Sequence, residues 1–425
     1  MGAPLRRLRW RIAVVLFVST VINYIDRQTL SVLAPFLQRD YHWTNTDFAT
    51  VLIAFRLGYT LMQGVGGRLL DIAGTRLGLT LTVAFYSIVA CLTSLAGGLT
   101  SFRVFRFLLG CGEGPNWPGA TKATSEWFPA KERAWSVAFF DSGSSIGGAI
   151  APFLVLFLYN VFGNWRPAFL ITGCLGFLWL LVWRHMYFPP EQHPRVSQEE
   201  LNLILRSRQS EDQGVLKPER VPWLSLLKYR QTWGIVFGRM LLDPYWFLIA
   251  DWFALYLHSK GVSIESSVLG FWAPFLGADT GNFFGGGLSS WWIARGWSVG
   301  AARRTVLGIF GPSMLVLAYA AFTSNYIVLI SLFTYATFAY AACSTMFLSL
   351  PADVYESRAV ASVSGMGGTA AGIATLLSTY CIGRITDRLS FQPVIIAASI
   401  IPLLSTIVFV ALVRSERSNG VIRRF

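Results

Sequence analysis

The sequence predicts an all-α polytopic membrane protein, with twelve transmembrane helices in two pseudo-symmetric six-helix bundles. Three observations predict it. First, 54% of the 425 residues are hydrophobic and only 13% are charged, about half the charged fraction of a soluble domain. Second, the apolar residues come in blocks of about 20, the length that crosses a hydrocarbon core of ~30 Å. Third, every second loop between blocks is basic, which orients helices across a membrane. The alternating pattern of a membrane barrel strand is absent.

The spans are predicted at 10–34, 46–68, 76–98, 101–123, 134–158, 166–187, 231–257, 266–293, 304–323, 326–350, 359–383 and 392–414. Span one follows the basic start MGAPLRRLRWR. It is too long for a signal-peptide core and no small-x-small cleavage site follows, so it reads as a retained helix. Span two runs into GVGGRLLDIAGTRLG, a short loop with a tight turn and a charge pair, Asp71 and Arg76. Span three precedes span four, which contains RFLLGCGEGPNWPG. Spans five and six follow WFPAKERA and end at PPEQHP. The only long polar segment, 188–230, then offers a capping box, Ser197 with Glu200, before ELNLILRSR, a short amphipathic helix on the membrane surface. Spans seven and eight carry DPYWF and GADTGNFFGG; nine follows a basic loop; ten leads into PADVYESR; eleven carries GMGGTAAG; twelve ends at a basic tail. The predicted domains are therefore 1–187, a linker at 188–230, and 231–425.

Internal repetition supports two related halves. At an offset of 225, Arg133 matches Arg358, Gly143 matches Gly368, Gly147 matches Gly372 and Asp26 matches Asp251. Duplicated halves place a binding site at their interface, near the midplane.

The net charge of +13 is explained by topology and not by nucleic acid. Arg6, Arg7, Arg9 and Arg11 precede span one, Arg76 follows span two, and Lys131 and Arg133 follow span four. Further clusters follow spans six, eight and twelve. Both termini are expected on the cytoplasmic side of the cytoplasmic membrane. Five cysteines sit inside or at the ends of apolar spans and four histidines near span ends or in loops, with no ligand spacing. No metal, no cofactor and no nucleophile–His–acid set is expected, so the chain is not read as an enzyme.

Charges inside the spans are the candidate functional residues. An ionised group near a helix centre costs roughly 2.5–3.5 kcal/mol on insertion scales and needs a reason to be there. Span one carries Asp26 and Arg27 side by side. Residues three and four apart share a face, so Thr20, Asn23, Tyr24, Arg27 and Ser31 form one polar stripe, with Asp26 rotated about 100° away. Span two adds Arg56, Tyr59 and Gln63. Span four adds Arg103, Arg106, Gly110, Glu113 and Trp117. Arg27 suits a carboxylate, because its planar fork stays charged. Tyr24, Tyr59 and Gln63 suit hydroxyls, and Asp26 and Glu113 are candidate proton carriers. The bland counterpart is a set of buried ion pairs that hold helices in register. In the second half, Trp246 lies in an aromatic run that stacks on a sugar face or simply packs. Span eight carries Asp279 and Asn282, and span eleven carries Thr369 within GMGGTAAG. The glycine runs read as close-packing surfaces.

The run from Gly67 to Arg76 resembles the loop between spans two and three of the major facilitator superfamily, in which the Asp helps close the cytoplasmic gate. NYIDR, RFLLGCGEGPNWPG and WFPAKERA resemble its anion:cation symporter branch. DPYWF, GADTGNFFGGGLSSWWIARGWS and LPADVYESRAVASVSGMGGTAAGI are most similar to hexuronate permeases. The resemblance implies alternating access and proton-driven uptake of a sugar acid or related organic anion by a functional monomer. It implies that Arg27 takes the substrate carboxylate and Tyr59 touches substrate. Asp26 and Glu113 are then the protonatable pair, linked by Arg106, and Asp71 with Arg76 serves the gate. Thr369 stands where many relatives have Asn, and Asp141 and Asp251 stand where neutral residues are expected. The alternatives are a facilitator or antiporter of an aromatic or dicarboxylic acid, or a sensor on a transporter scaffold.

Overall fold

A computed structural model describes residues 7–43, 45–211, 222–261 and 268–413, and it is helical with no strand among them. The helices are α1 (Leu8–Tyr41), α2 (Asn45–Ala73), α3 (Thr75–Thr93), α4 (Leu99–Glu113), α5 (Asn116–Trp127), α6 (Ala130–Phe162), α7 (Arg166–Met186) and α8 (Gln198–Glu211). They continue as α9 (Arg230–Ser259), α10 (Val268–Ala294), α11 (Val299–Ser313), α12 (Tyr326–Val354), α13 (Ser357–Arg388) and α14 (Gln392–Leu412). Eight of the described helical stretches are long and apolar enough to cross a membrane.

Two predicted spans are not single regular helices. Span four is α4 and α5, broken at Gly114–Pro115, because Pro115 has no N–H to continue the ladder. Span nine tightens to a 3₁₀ helix, Met314–Ala321, just after Pro312. The first break leaves Glu113 as the last residue of α4.

The chain forms two compact units. One comprises Met1–Pro129, Phe139–Ser210 and Ser357–Met366; the other comprises Ala130–Ala138, Glu211–Glu356 and Gly367–Phe425. In the first unit α2 packs along α4, and α3 and α1 pack along α7. Small residues set these distances. A Cβ at Gly110 would stand 2.2 Å from the Phe55 carbonyl, and one at Gly58 2.2 Å from the Phe107 carbonyl. That closeness brings the Phe55–Tyr59 turn of α2 against α4.

In the second unit α10 packs along α12 through Gly277, Gly281 and Gly285. These lie four residues apart, on one helical face. A Cβ at Gly281 would stand 2.1 Å from the Phe338 carbonyl. The backbone cannot yield there, so Gly281→Leu should force α10 off α12. The expected result is a loss of folded protein in detergent, read as a thermal midpoint lower by about 5 °C or more. Gly308→Leu is the control, since a Cβ there meets nothing within 4 Å.

The second unit also encloses a charged cluster. The Asp353 carboxylate receives Arg303 Nε at 2.9 Å and Arg133 Nη1 at 3.4 Å, and Arg303 Nη1 donates to the Ser289 hydroxyl at 2.6 Å. All three charged side chains are buried.

The linker departs from its predicted cap in an informative way. Ser197 Oγ accepts the Glu200 N–H at 3.2 Å, the expected half of a capping box. Glu200 does not return the bond to Ser197. Its carboxylate accepts the Leu8 N–H at 2.9 Å, the Arg9 N–H at 3.2 Å and Arg9 Nη1 at 2.7 Å. The free N–H groups and positive dipole end of α1 outcompete the local cap. Nearby, His193 Nδ1 accepts the Arg195 N–H at 3.1 Å while Nε2 lies 3.1 Å from the Met186 carbonyl. This is the neutral ring with the proton on Nε2. Burial holds His193 below its ordinary value of 6.5. Its contribution is therefore full above pH 6.5 and is lost as pH falls, because the undocked ring binds the proton first. Hydrogen exchange of the 189–200 amides, corrected for intrinsic rate, should accelerate between pH 7.5 and 5.5 in the wild type. His193→Asn should abolish that pH dependence.

Candidate functional site

The polar stripe of α1 meets α4 and α2 inside the first unit. Arg27 Nη2 lies 2.9 Å from Glu113 Oε2 and Nε lies 3.2 Å from the same oxygen. Nη2 also donates to the Asn23 side-chain oxygen at 3.3 Å. The guanidinium sits over three rings, Tyr24 at 4.8 Å, Phe55 at 4.9 Å and Tyr59 at 4.8 Å. Ring faces attract a desolvated cation, so one ion pair and three aromatic faces hold Arg27. The Glu113 side chain is fully buried, whereas that of Arg27 is 24% exposed. The cation therefore opens outward from the pair and its counter-ion does not.

Phe55 is part of this box and is not evident from the sequence, where it looks like any apolar residue of span two. A second tier steadies the box. Trp117 Nε1 donates to Asp141 Oδ1 at 3.0 Å, and the Trp117 ring meets Tyr24 edge-on at 6.0 Å. The unexpected acid in span five thus orients an aromatic residue behind Tyr24.

Asp26 faces away from Arg27, as helical spacing predicts. It is buried, and neither carboxylate oxygen has a hydrogen-bond partner. The Thr172 hydroxyl of α7 is close but is turned to the Phe169 carbonyl at 3.5 Å. Arg106 is also buried. Its Nη1 donates to the Arg27 carbonyl at 3.4 Å, while Nε and Nη2 have no partner. Glu113 Oε1 is likewise unpartnered. The structure therefore gathers two carboxylates and two guanidiniums, but hydrogen-bonds only one carboxylate to one guanidinium. Unsatisfied buried polar atoms are costly, and three of these four charged residues carry them.

Gln63 is buried one turn beyond Tyr59 on α2 and makes no hydrogen bond to Arg27. Its backbone carbonyl abuts Gly365 of α13. Asp71, further along α2, does not pair with Arg76. It takes Lys122 Nζ at 2.6 Å and accepts the Ser362 N–H at 2.7 Å. Arg76 instead donates to the Arg184 carbonyl at 2.7 Å and lies 3.8 Å over the Phe188 ring. The partners differ because Asp71 points to the middle of α5 and the start of α13 while Arg76 points to the end of α7. Lys122 and Ser362 are far from Asp71 in sequence and carry no local motif.

In the second unit Trp246 stacks on Tyr340 at 5.8 Å and meets Phe275 edge-on at 5.6 Å. Asn282 is buried and its side-chain oxygen accepts from Thr345 at 2.9 Å. Thr369 is half-buried on α13. Arg239 pairs with Asp243 one turn on, at 2.8 Å. The side chain of Asp251, the repeat partner of Asp26, lies outside the described residues. Among the described residues no His, Cys, Asp or Glu group could hold a metal ion.

Comparison with known proteins gives a consistent picture. The chain is 31% identical over 411 residues to the hexuronate transporter of Escherichia coli (strain K12), covering 95% of this chain and 94% of that protein. It is 34% identical over 283 residues to the galacturonate transporter of Dickeya chrysanthemi, covering 66% of this chain and 81% of that protein. The fold matches the crystal structure of FucP, a transporter solved in the outward conformation, with TM-score 0.69 and 17% identity. That match covers 96% of this chain and 98% of the other. Residues 16–379 match the profile of the Major Facilitator Superfamily, and this membrane-embedded, transport-type chain belongs to that family.

Proposed function

We propose that this protein imports a sugar acid, such as a hexuronate or an aldonate, by proton symport with alternating access. The observation that carries the proposal is the Arg27–Glu113 pair, a half-open cation whose counter-ion is buried and removable by a proton. With Glu113 ionised, Arg27 is internally neutralised. With Glu113 protonated, the guanidinium is free to take a carboxylate. Proton and anion binding then favour one another through a single shared charge. Asp26 is assigned as a second proton carrier and Arg106 as the cation between the two acids. Tyr24, Tyr59 and Gln63 are assigned to the substrate from the first half, and Trp246, Asn282 and Thr369 from the second. The domains 1–187 and 231–425 rock about the linker 188–230, with both termini cytoplasmic. Asp71 belongs to the gate through Lys122 and Ser362, with Arg76 as a strut beside it. The transporter works as a monomer, with no cofactor, and is not an enzyme. The names of the relatives above support the sugar-acid class.

The test is uptake of galacturonate or glucuronate into proteoliposomes under an imposed inward proton gradient. Wild-type protein should concentrate substrate and alkalinise the external medium. Glu113→Gln should lose accumulation by about tenfold or more while retaining exchange of internal for external substrate. Normal accumulation by Glu113→Gln would remove the carrier role. Uptake with no accompanying pH change would favour a facilitator.

A further inference from the structure

We infer that a groove on the outer side of α1 and α7 holds one anionic phospholipid, with its phosphate on Arg11. The groove has a volume of about 510 Å³ and is lined by Arg11, Val14, Val18 and Ile22 of α1 and by Leu178 and Val182, among others, of α7. Arg11 is its one charged lining residue. Trp179, which forms part of the wall, uses its Nε1–H on the Val15 carbonyl at 2.7 Å. That bond fixes the spacing of the two helices and leaves the indole no free donor.

The charge pattern selects the occupant. Arg9, two residues from Arg11, is committed to Glu200 at 2.7 Å. The Arg11 guanidinium makes no ion pair or hydrogen bond among the described residues and is exposed. A basic group at the N-terminal end of a membrane helix sits at headgroup level. The docked α8, held to the start of α1 by Glu200, lies at the same end. From Arg11 to Ile22 the groove follows roughly 16 Å of helix, which is one leaflet of a ~30 Å core. One acyl chain fits that depth, and one phosphate fits the free guanidinium. A convex lipid-facing surface offers neither a groove between two helices nor a matched charge.

The groove reaches the candidate site from behind. Ile22 is one turn from Asp26 on α1, and Leu175 is three residues from Thr172 on α7. A lipid that fills the seam holds α1 against α7 where Asp26 is buried.

The test uses full-length protein, delipidated in detergent, with phosphatidylglycerol or phosphatidylcholine of identical acyl chains. Native mass spectrometry should show one retained phosphatidylglycerol and at least tenfold less phosphatidylcholine, and phosphatidylglycerol alone should raise the thermal midpoint. Arg11→Gln should abolish the discrimination between the two lipids. Val18→Trp, which fills the groove and keeps Arg11, should reduce retention of both. Inorganic phosphate should neither compete nor stabilise. Equal retention of the two lipids by wild type, unchanged selectivity in Arg11→Gln, or stabilisation by phosphate alone would each overturn the assignment.

Discussion

Under the proposed sugar-acid import, Arg27→Lys should lower affinity for galacturonate by about 10²-fold or more. Lysine keeps the charge but loses what the site is built around. The guanidinium plane lies over Tyr24, Phe55 and Tyr59 and directs two nitrogens at one Glu113 oxygen. An ammonium offers no plane for the rings and no fork for a carboxylate. Losing a bidentate charged contact together with part of its aromatic support removes roughly 3 kcal/mol, or two powers of ten. Ligand-induced thermal shift and equilibrium binding should both show the loss. The unliganded protein should unfold within a few degrees of wild type, because the Lys can still neutralise Glu113. Retained affinity for the carboxylated sugar, with loss only for its neutral alcohol analogue, would remove Arg27 from the anion site.

Asp353→Asn should be the most destabilising conservative change in the second unit. Asp353 is the shared counter-ion of Arg303 and Arg133, and all three side chains are buried. Asparagine keeps the volume and one acceptor but removes the negative charge that Arg303 and Arg133 share at Asp353. Removing one partner of a buried pair costs about 3–5 kcal/mol, because the remaining charge is not solvated. Arg303 Nη2 already lacks a partner, so Arg303 depends on Asp353 and Ser289 for its hydrogen bonds. Chemical unfolding in detergent should show the decrease. A double variant, Asp353→Leu with Arg303→Met, should recover part of it, because it removes a charge along with its counter-charge. A single Asp353→Asn within 1 kcal/mol of wild type would mean that the cluster is hydrated.

These two sites differ in how far they could be read in advance. Arg27, Glu113 and Asp26 stand out in sequence because charges are rare inside apolar blocks, and the penalty of placing them there is local. The face that Arg27 shares with Tyr24 also follows from helical spacing alone. The partnership of Arg27 with Glu113, 86 residues apart, does not. Span four places Arg106 and Glu113 on one face, and spacing alone lets either of them engage span one. The Gly110 contact and the break at Gly114–Pro115 bring α4 into its place. Phe55 was invisible for a different reason. An aromatic residue in a membrane span is ordinary, and only its position over a cation makes it part of a site.

The cluster at Asp353 shows the opposite case. Its members lie at the start of α6, the start of α11 and the end of α12, just outside the spans predicted from sequence, where charge is common. There, a buried arginine and a solvated one have the same sequence signature. Asp71 follows the same rule: the cation that shares its loop, Arg76, goes elsewhere, and the partner, Lys122, comes from α5. Glu200 satisfied half of its local capping pattern and then spent its carboxylate on the first turn of α1.

The sequence by itself determined the membrane class, the order of the spans, the family, and the set of residues too costly to bury without a purpose. Those properties depend on composition and on periodicity within single helices, where each residue's environment is set by its neighbours along the chain. Only the tertiary structure decided which charges meet, which aromatic rings enclose Arg27, and which acid remains buried without a partner. Such pairings depend on helix spacing, and that spacing comes from contacts, glycine against carbonyl and ring against ring, between residues far apart in the chain.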